Sequence, residues 1–83
     1  MHRIYVVLED ETGGNAMYEQ LGGAEIGGAV YFAVVKVDLR GKRVGEAPIV
    51  LRQRIENGVE TLDEIERSDE TAEVFEHFAD LVA

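Results

Sequence analysis

Ala29-Val30-Tyr31-Phe32-Ala33-Val34-Val35-Lys36-Val37 is the longest apolar run in this chain. β-Branched and aromatic residues dominate it, which suits a pleated, buried strand better than a helix. The run is apolar toward both faces until alternation begins at Lys36 and Asp38. A strand of that kind needs cover on both sides. The rest of the chain must supply that cover.

Working outward, Arg3-Ile4-Tyr5-Val6-Val7-Leu8-Glu9 alternates as a strand, and Asp10-Glu11-Thr12-Gly13-Gly14 ends it with turn residues. Asn15 is placed to cap a short helix over 16–21, with Gly22 at its C-terminal end. On the other side, Leu39-Arg40-Gly41-Lys42-Arg43 reads as a turn, and Gly45 weakens any strand over 44–47. Residues 49–56 admit two readings. Pro48 and Asn57-Gly58 could bracket a helix. The β-branched start and the Arg52-Gln53-Arg54 alternation favour a strand, which makes Asn57-Gly58 a type I′ hairpin turn.

The C-terminal third reads as helical. Thr61 and Glu64 have capping-box spacing for a piece over 62–67. Ser68 caps a second piece, in which Thr71, Val74, Phe75, Phe78, Ala79 and Val82 form an apolar stripe. Leu62 and Ile65 fall out of phase with that stripe, so a bend is expected near Ser68. The expectation is a single α+β domain over 1–83 of order β-α-β-β-α. Its sheet has three strands, or four if 44–47 join, and the amphipathic C-terminal helix packs on one face.

At 83 residues the chain buries roughly 60–65% of its unfolded surface. Oligomerisation is a common supplement at that size. There is no cysteine, hence no disulfide framework, thiolate zinc site or cysteine nucleophile. No apolar run approaches the roughly 18 residues that span a bilayer. Met1-His2-Arg3 leads into a strand rather than a signal-peptide core. A cytoplasmic location is expected, that of the host cell if the source is a virus. Net charge is −9, and it is segregated: residues 1–55 hold seven acids and seven bases, whereas residues 56–83 hold ten acids and Arg67.

Several constellations could carry chemistry. Gly-Gly pairs stand at 13–14, 22–23 and 27–28, but no Gly-Lys-Ser/Thr or G-x-G-x-x-G accompanies them. Connector roles come first for these pairs, close backbone approach second and a phosphate cradle last. Glu70, Glu73 and His77 have helical spacing for a divalent ion, yet one helix supplies too few ligands. A solvated face is the better reading, and no metal or other cofactor is assigned. The one serine, Ser68, is taken up by a cap, and no nucleophile with a base and an orienting group is visible. The expectation is a non-enzyme.

Two surfaces remain. With one good helix for two apolar sheet faces, Tyr5, Val7, Val30, Phe32, Val34 and Val50 form a patch that is uncovered unless the helix over 16–21 lies on it, and an uncovered patch marks an interface. A homodimer through it is the first reading. The second surface is the acidic face Glu66, Glu70, Glu73 and Asp80. A solvated face is at least as good a reading of these acids; as a docking surface, carboxylates spaced on a rigid helix fit a basic groove built for phosphates. That is how a nucleic-acid mimic, an antitoxin or a small inhibitor of a nucleic-acid-handling protein would work. The alternative is a ligand- or nucleic-acid-binding module using Tyr5, Phe32, Arg52 and Arg54 with the loop 13–28, since sheet aromatics with arginine rims stack single-stranded bases. The RNP1 pattern is absent and the net charge opposes phosphate, so direct nucleic-acid binding is not expected.

Overall fold

In the computed structural model, which describes residues 3–9 and 12–82, Ala29–Val37 forms β3. It is the middle of a five-stranded antiparallel sheet. Its flanks are β1 (Ile4–Glu9), β2 (Asn15–Ile26), β4 (Ile49–Glu56) and β5 (Val59–Ile65), paired in chain order. Two short helices follow, α1 (Ala72–His77) and α2 (Ala79–Val82). The expected three-stranded α+β sheet of order β-α-β-β-α with a long C-terminal amphipathic helix is overturned. The protein is mostly β, and its sheet curls into a half-barrel.

Two expected helices are strands. Residues 16–21 belong to β2, which pairs on one side with β1 (Val6 opposite Tyr18) and on the other with β3 (Glu19 opposite Val35). Met17, Glu19, Gln20 and Leu21 are good helix formers, but two partner strands outweigh a propensity difference of a few tenths of a kcal/mol per residue. Residues 62–65 lie in β5, held by the turn at Asn57-Gly58, where φ is 52° and 78° as a type I′ hairpin requires. The strand reading of 49–56 therefore holds. Asp10 and Glu11 of the expected first turn lie outside the described residues.

The bend near Ser68 is present, but Ser68 does not cap the helix. Thr71 organises the corner instead: its Oγ1 donates to the Glu66 carbonyl at 2.6 Å and accepts from the Ser68 N–H at 2.9 Å. The helical stretch is broken at Phe78 into two pieces. Four of the six stripe residues, Val74, Phe75, Phe78 and Val82, are buried, while Thr71 is half-buried and Ala79 exposed. The four buried residues pack on Ala33 and Val50 of the sheet's outer face, with Leu21, Ala24, Ile26, Tyr31 and Ile65 around them.

The Gly22-Gly23 pair lets both faces close at one point. The register shifts between Gln20 and Gly22, so a bulge there strengthens the local twist. A Cβ on Gly22 would lie 2.9 Å from Leu81 Cδ1, under the helices. One on Gly23 would lie 3.1 Å from the Phe32 ring, on the opposite face. This dipeptide is a packing element, not a helix end.

Phe78→Ala is expected to cost about 3–5 kcal/mol by emptying the centre of the outer core. Leu81→Ala, at a residue 38% exposed, should cost well under half of that. Urea unfolding of the two variants checks the difference. Equal losses would contradict this packing.

Candidate functional site

Alternation and register fix the composition of the second, inner face. Phe32 opposes Leu51 and Val34 opposes Ile49. Val6 opposes Tyr18 and Leu8 opposes Ala16. Gln53 opposes Leu62. No helix among the described residues covers this face, yet Val34 and Leu51 are only 1% and 2% exposed. The curl brings β1 and β5 toward each other, so inner side chains bury one another. A small void of about 180 Å³ among Val6, Gln20, Phe32, Val34, Leu51 and Leu62 marks where that filling ends.

Toward one end of the half-barrel the inner face opens into a larger cleft of about 430 Å³. Leu8, Ala16, Tyr18, Ile49, Leu51 and Leu62 line it, and Glu9, Asp63 and Glu64 stand at its edge. Its size falls within the roughly 300–1,000 Å³ usual for ligand sites. No Lys or Arg lines it. Asp63 is engaged by Arg54, with Nε to Oδ2 at 2.7 Å. Glu9 and Glu64 have no ion-pair partner among the described residues.

The residues singled out from sequence are distributed differently from their expected grouping. Of the six expected at a dimer interface, Val30, Phe32 and Val34 lie on the inner face. Tyr5, Val7 and Val50 lie on the outer face. Val50 is fully buried beneath the helices. The homodimer was expected because a second face stood without cover; the centre of that face is covered within one copy, with Val34 and Leu51 buried.

Of the acidic set, Glu73 is in α1 and Asp80 in α2, while Glu66 and Glu70 lie in the connection before them. All four are exposed, but they do not form one face of a continuous helix. For the alternative site, Tyr5, Arg52 and Arg54 are on the outer face and Phe32 is on the inner one. Arg54 is held by Glu56 as well as Asp63. Most of the loop 13–28 is β2, which ends in a two-residue hairpin at Gly27-Gly28.

The turn expected at 39–43 is present between β3 and β4, and Asp38, which the sequence did not single out, anchors it. Asp38 Oδ1 accepts from the backbone N–H of Arg40 at 2.8 Å and of Lys42 at 3.0 Å. This pins Leu39 outward, 97% exposed, among Arg40, Lys42 and Arg43. Asp followed by Gly three residues later was the available signal. The cleft left no such local signal, because its walls come from four strands.

No helix among the described residues is long and apolar enough to cross a membrane. Compared with protein-family models, curated proteins and solved structures, the chain matches none.

Burial on the inner face can be tested by charge insertion. Val34→Asp should cost at least about 3 kcal/mol, because it places an unpaired carboxylate where water does not reach. Ile55→Lys, on the same face but 69% exposed, should stay within about 0.5 kcal/mol of the parent. Thermal unfolding of both checks the curl. A well-folded Val34→Asp protein would show that the inner face is open.

Proposed function

We propose that this protein is a non-enzymatic interaction module that presents acidic surface to a basic, nucleic-acid-handling partner. It would act as an inhibitor, an antitoxin or a nucleic-acid mimic. One observation carries the reading. The ten carboxylates between Glu56 and Asp80 are all exposed. Among the described residues only Glu56 and Asp63 are ion-paired, both by Arg54. Arg67, the one base in this region, is turned onto the Phe75 ring at 4.7 Å. Eight carboxylates thus face solvent with no ion-pair partner among the described residues.

A uniformly solvated surface would need no such separation. Mixed signs serve solubility as well and avoid self-repulsion. Concentrating one sign on one part of the chain raises encounter rates with an oppositely charged surface and rejects partners of like charge.

Glu66, Glu70 and Glu73 are exposed and belong to neither the buried core nor the residues packed against it, so charge and packing can be separated. Replacing all three with Gln should leave the unfolding midpoint unchanged or slightly raised. Partner capture from the native host should weaken, mainly through slower association. Wild-type binding should also weaken as salt shortens the screening length to about 10 Å at 0.1 M. Equal capture by the triple Gln variant at low salt would reduce the acid to a solvated surface and remove this reading.

A further inference from the structure

The cleft at the end of the half-barrel joins three properties. Its base is apolar, with Leu8, Tyr18, Ile49 and Leu62 only half-buried. Its edge is acidic, and Glu9 and Glu64 lack partners among the described residues. Its mouth lies between β1 and β5, the two strands that pair on one side only. An unpaired strand edge offers a row of N–H and C=O groups to any extended chain. Because each successive pair is antiparallel, β1 and β5 run in the same direction. One extended segment can therefore lie antiparallel to either edge.

We propose that this cleft docks an extended basic segment of the partner. Apolar side chains of the segment seat on Leu8, Tyr18, Ile49 and Leu62, and its Lys or Arg side chains reach Glu9 and Glu64. The proposal rests on the basic-partner reading above and gives that partner a place and a shape. Strand addition supplies main-chain hydrogen bonds, and alternate side chains supply the selection. The charge of the rim decides the occupant. An acidic segment would set like charges together in a partly desolvated cleft, where screening by salt is weaker than at an open surface. A second copy of this chain is a poor occupant for the same reason. It brings a net charge of −9, and its β5 edge carries Glu60, Asp63 and Glu64.

The test uses the full chain, isotope-labelled, titrated with three short capped peptides. One alternates lysine with valine, one lysine with serine, and one glutamate with valine. The Lys/Val peptide should shift the amides of Leu8, Tyr18, Ile49 and Leu62. It should also bind about tenfold or more tighter than either control, since it alone offers both the charge and the apolar side chains. The double variant Glu9→Gln, Glu64→Gln removes two exposed charges without touching the core. It should weaken Lys/Val binding by about three- to tenfold, the span expected for two exposed pairs.

Three results would overturn the proposal. If Lys/Val and Lys/Ser peptides bind alike, with shifts confined to 66–80, the acidic reading stands and the cleft falls. If no lysine peptide binds anywhere, both fall. If cleft amides move when the protein alone is diluted, and sedimentation shows a dimer dissociating in step, a second copy is the occupant.

Discussion

The structure depends on the curl of its sheet, and the curl depends on two glycines in β2. A flat five-stranded sheet carrying β3, apolar on both sides, would need two covering layers. This chain has one, the ten or so helical residues of α1 and α2. The bulge at Leu21 and the absent side chains at Gly22 and Gly23 let the sheet bend. Leu81 then closes on Gly22 from the outer side and Phe32 on Gly23 from the inner side. The bend lets Val34 and Leu51 be buried by their neighbours instead of by a helix. The result is two small cores back to back, with β3 as their shared wall.

That economy explains why a chain of this size can be stable without a disulfide. A small domain is limited by how much surface it hides. Curling hides the second face without adding residues. It also leaves a consequence at the ends of the sheet. A half-barrel that stops short of closure has two free edges, and they face the same cleft. Closure would have removed both edges and the cleft with them.

The elements legible in the sequence were those specified by their own residues. The β3 run, the alternation of β1, the Asn57-Gly58 turn and the spacing of Val74, Phe75, Phe78 and Val82 each carry a local signal. The elements that were not legible are specified by partners. Residues 16–21 and 62–67 are rich in helix formers, and only pairing to β1, β3 and β4 makes strands of 16–21 and of 62–65. The faces of the sheet were misgrouped for a related reason. Ile49 and Leu51 share a side with Phe32 and Val34, not with Tyr31 and Val35. A one-residue difference in register exchanges the two faces of a whole strand, and nothing local in β4 states its register. That accounts for Val50 in the expected dimer patch; Tyr5 and Val7 were misplaced because β1 is phased to β3 only through β2, which was read as a helix. The cleft is the most distant from local sequence of all, since it exists only once the curl has brought Leu8 and Leu62 into one surface.

The acidic surplus divides by position in the fold. Glu60, Asp63 and Glu64 lie on an edge strand, where charge keeps other chains from pairing with the open backbone. That protective role needs no partner. It does not extend to Glu66, Asp69, Glu70, Glu73, Glu76 and Asp80, which follow β5 and lie on no edge. The opposite edge makes the contrast plain. β1 exposes Ile4, Tyr5 and Val7 and has no comparable run of charge, so edge protection is not applied evenly. Carboxylates that repel neighbouring copies from β5 also select what is allowed near the cleft, because the charge that rejects one partner attracts its opposite. The acids beyond the edge extend the same sign over adjacent surface. Exclusion of like copies and attraction of a basic segment are two effects of one charge distribution, and the open half-barrel gives that distribution a cleft to guard.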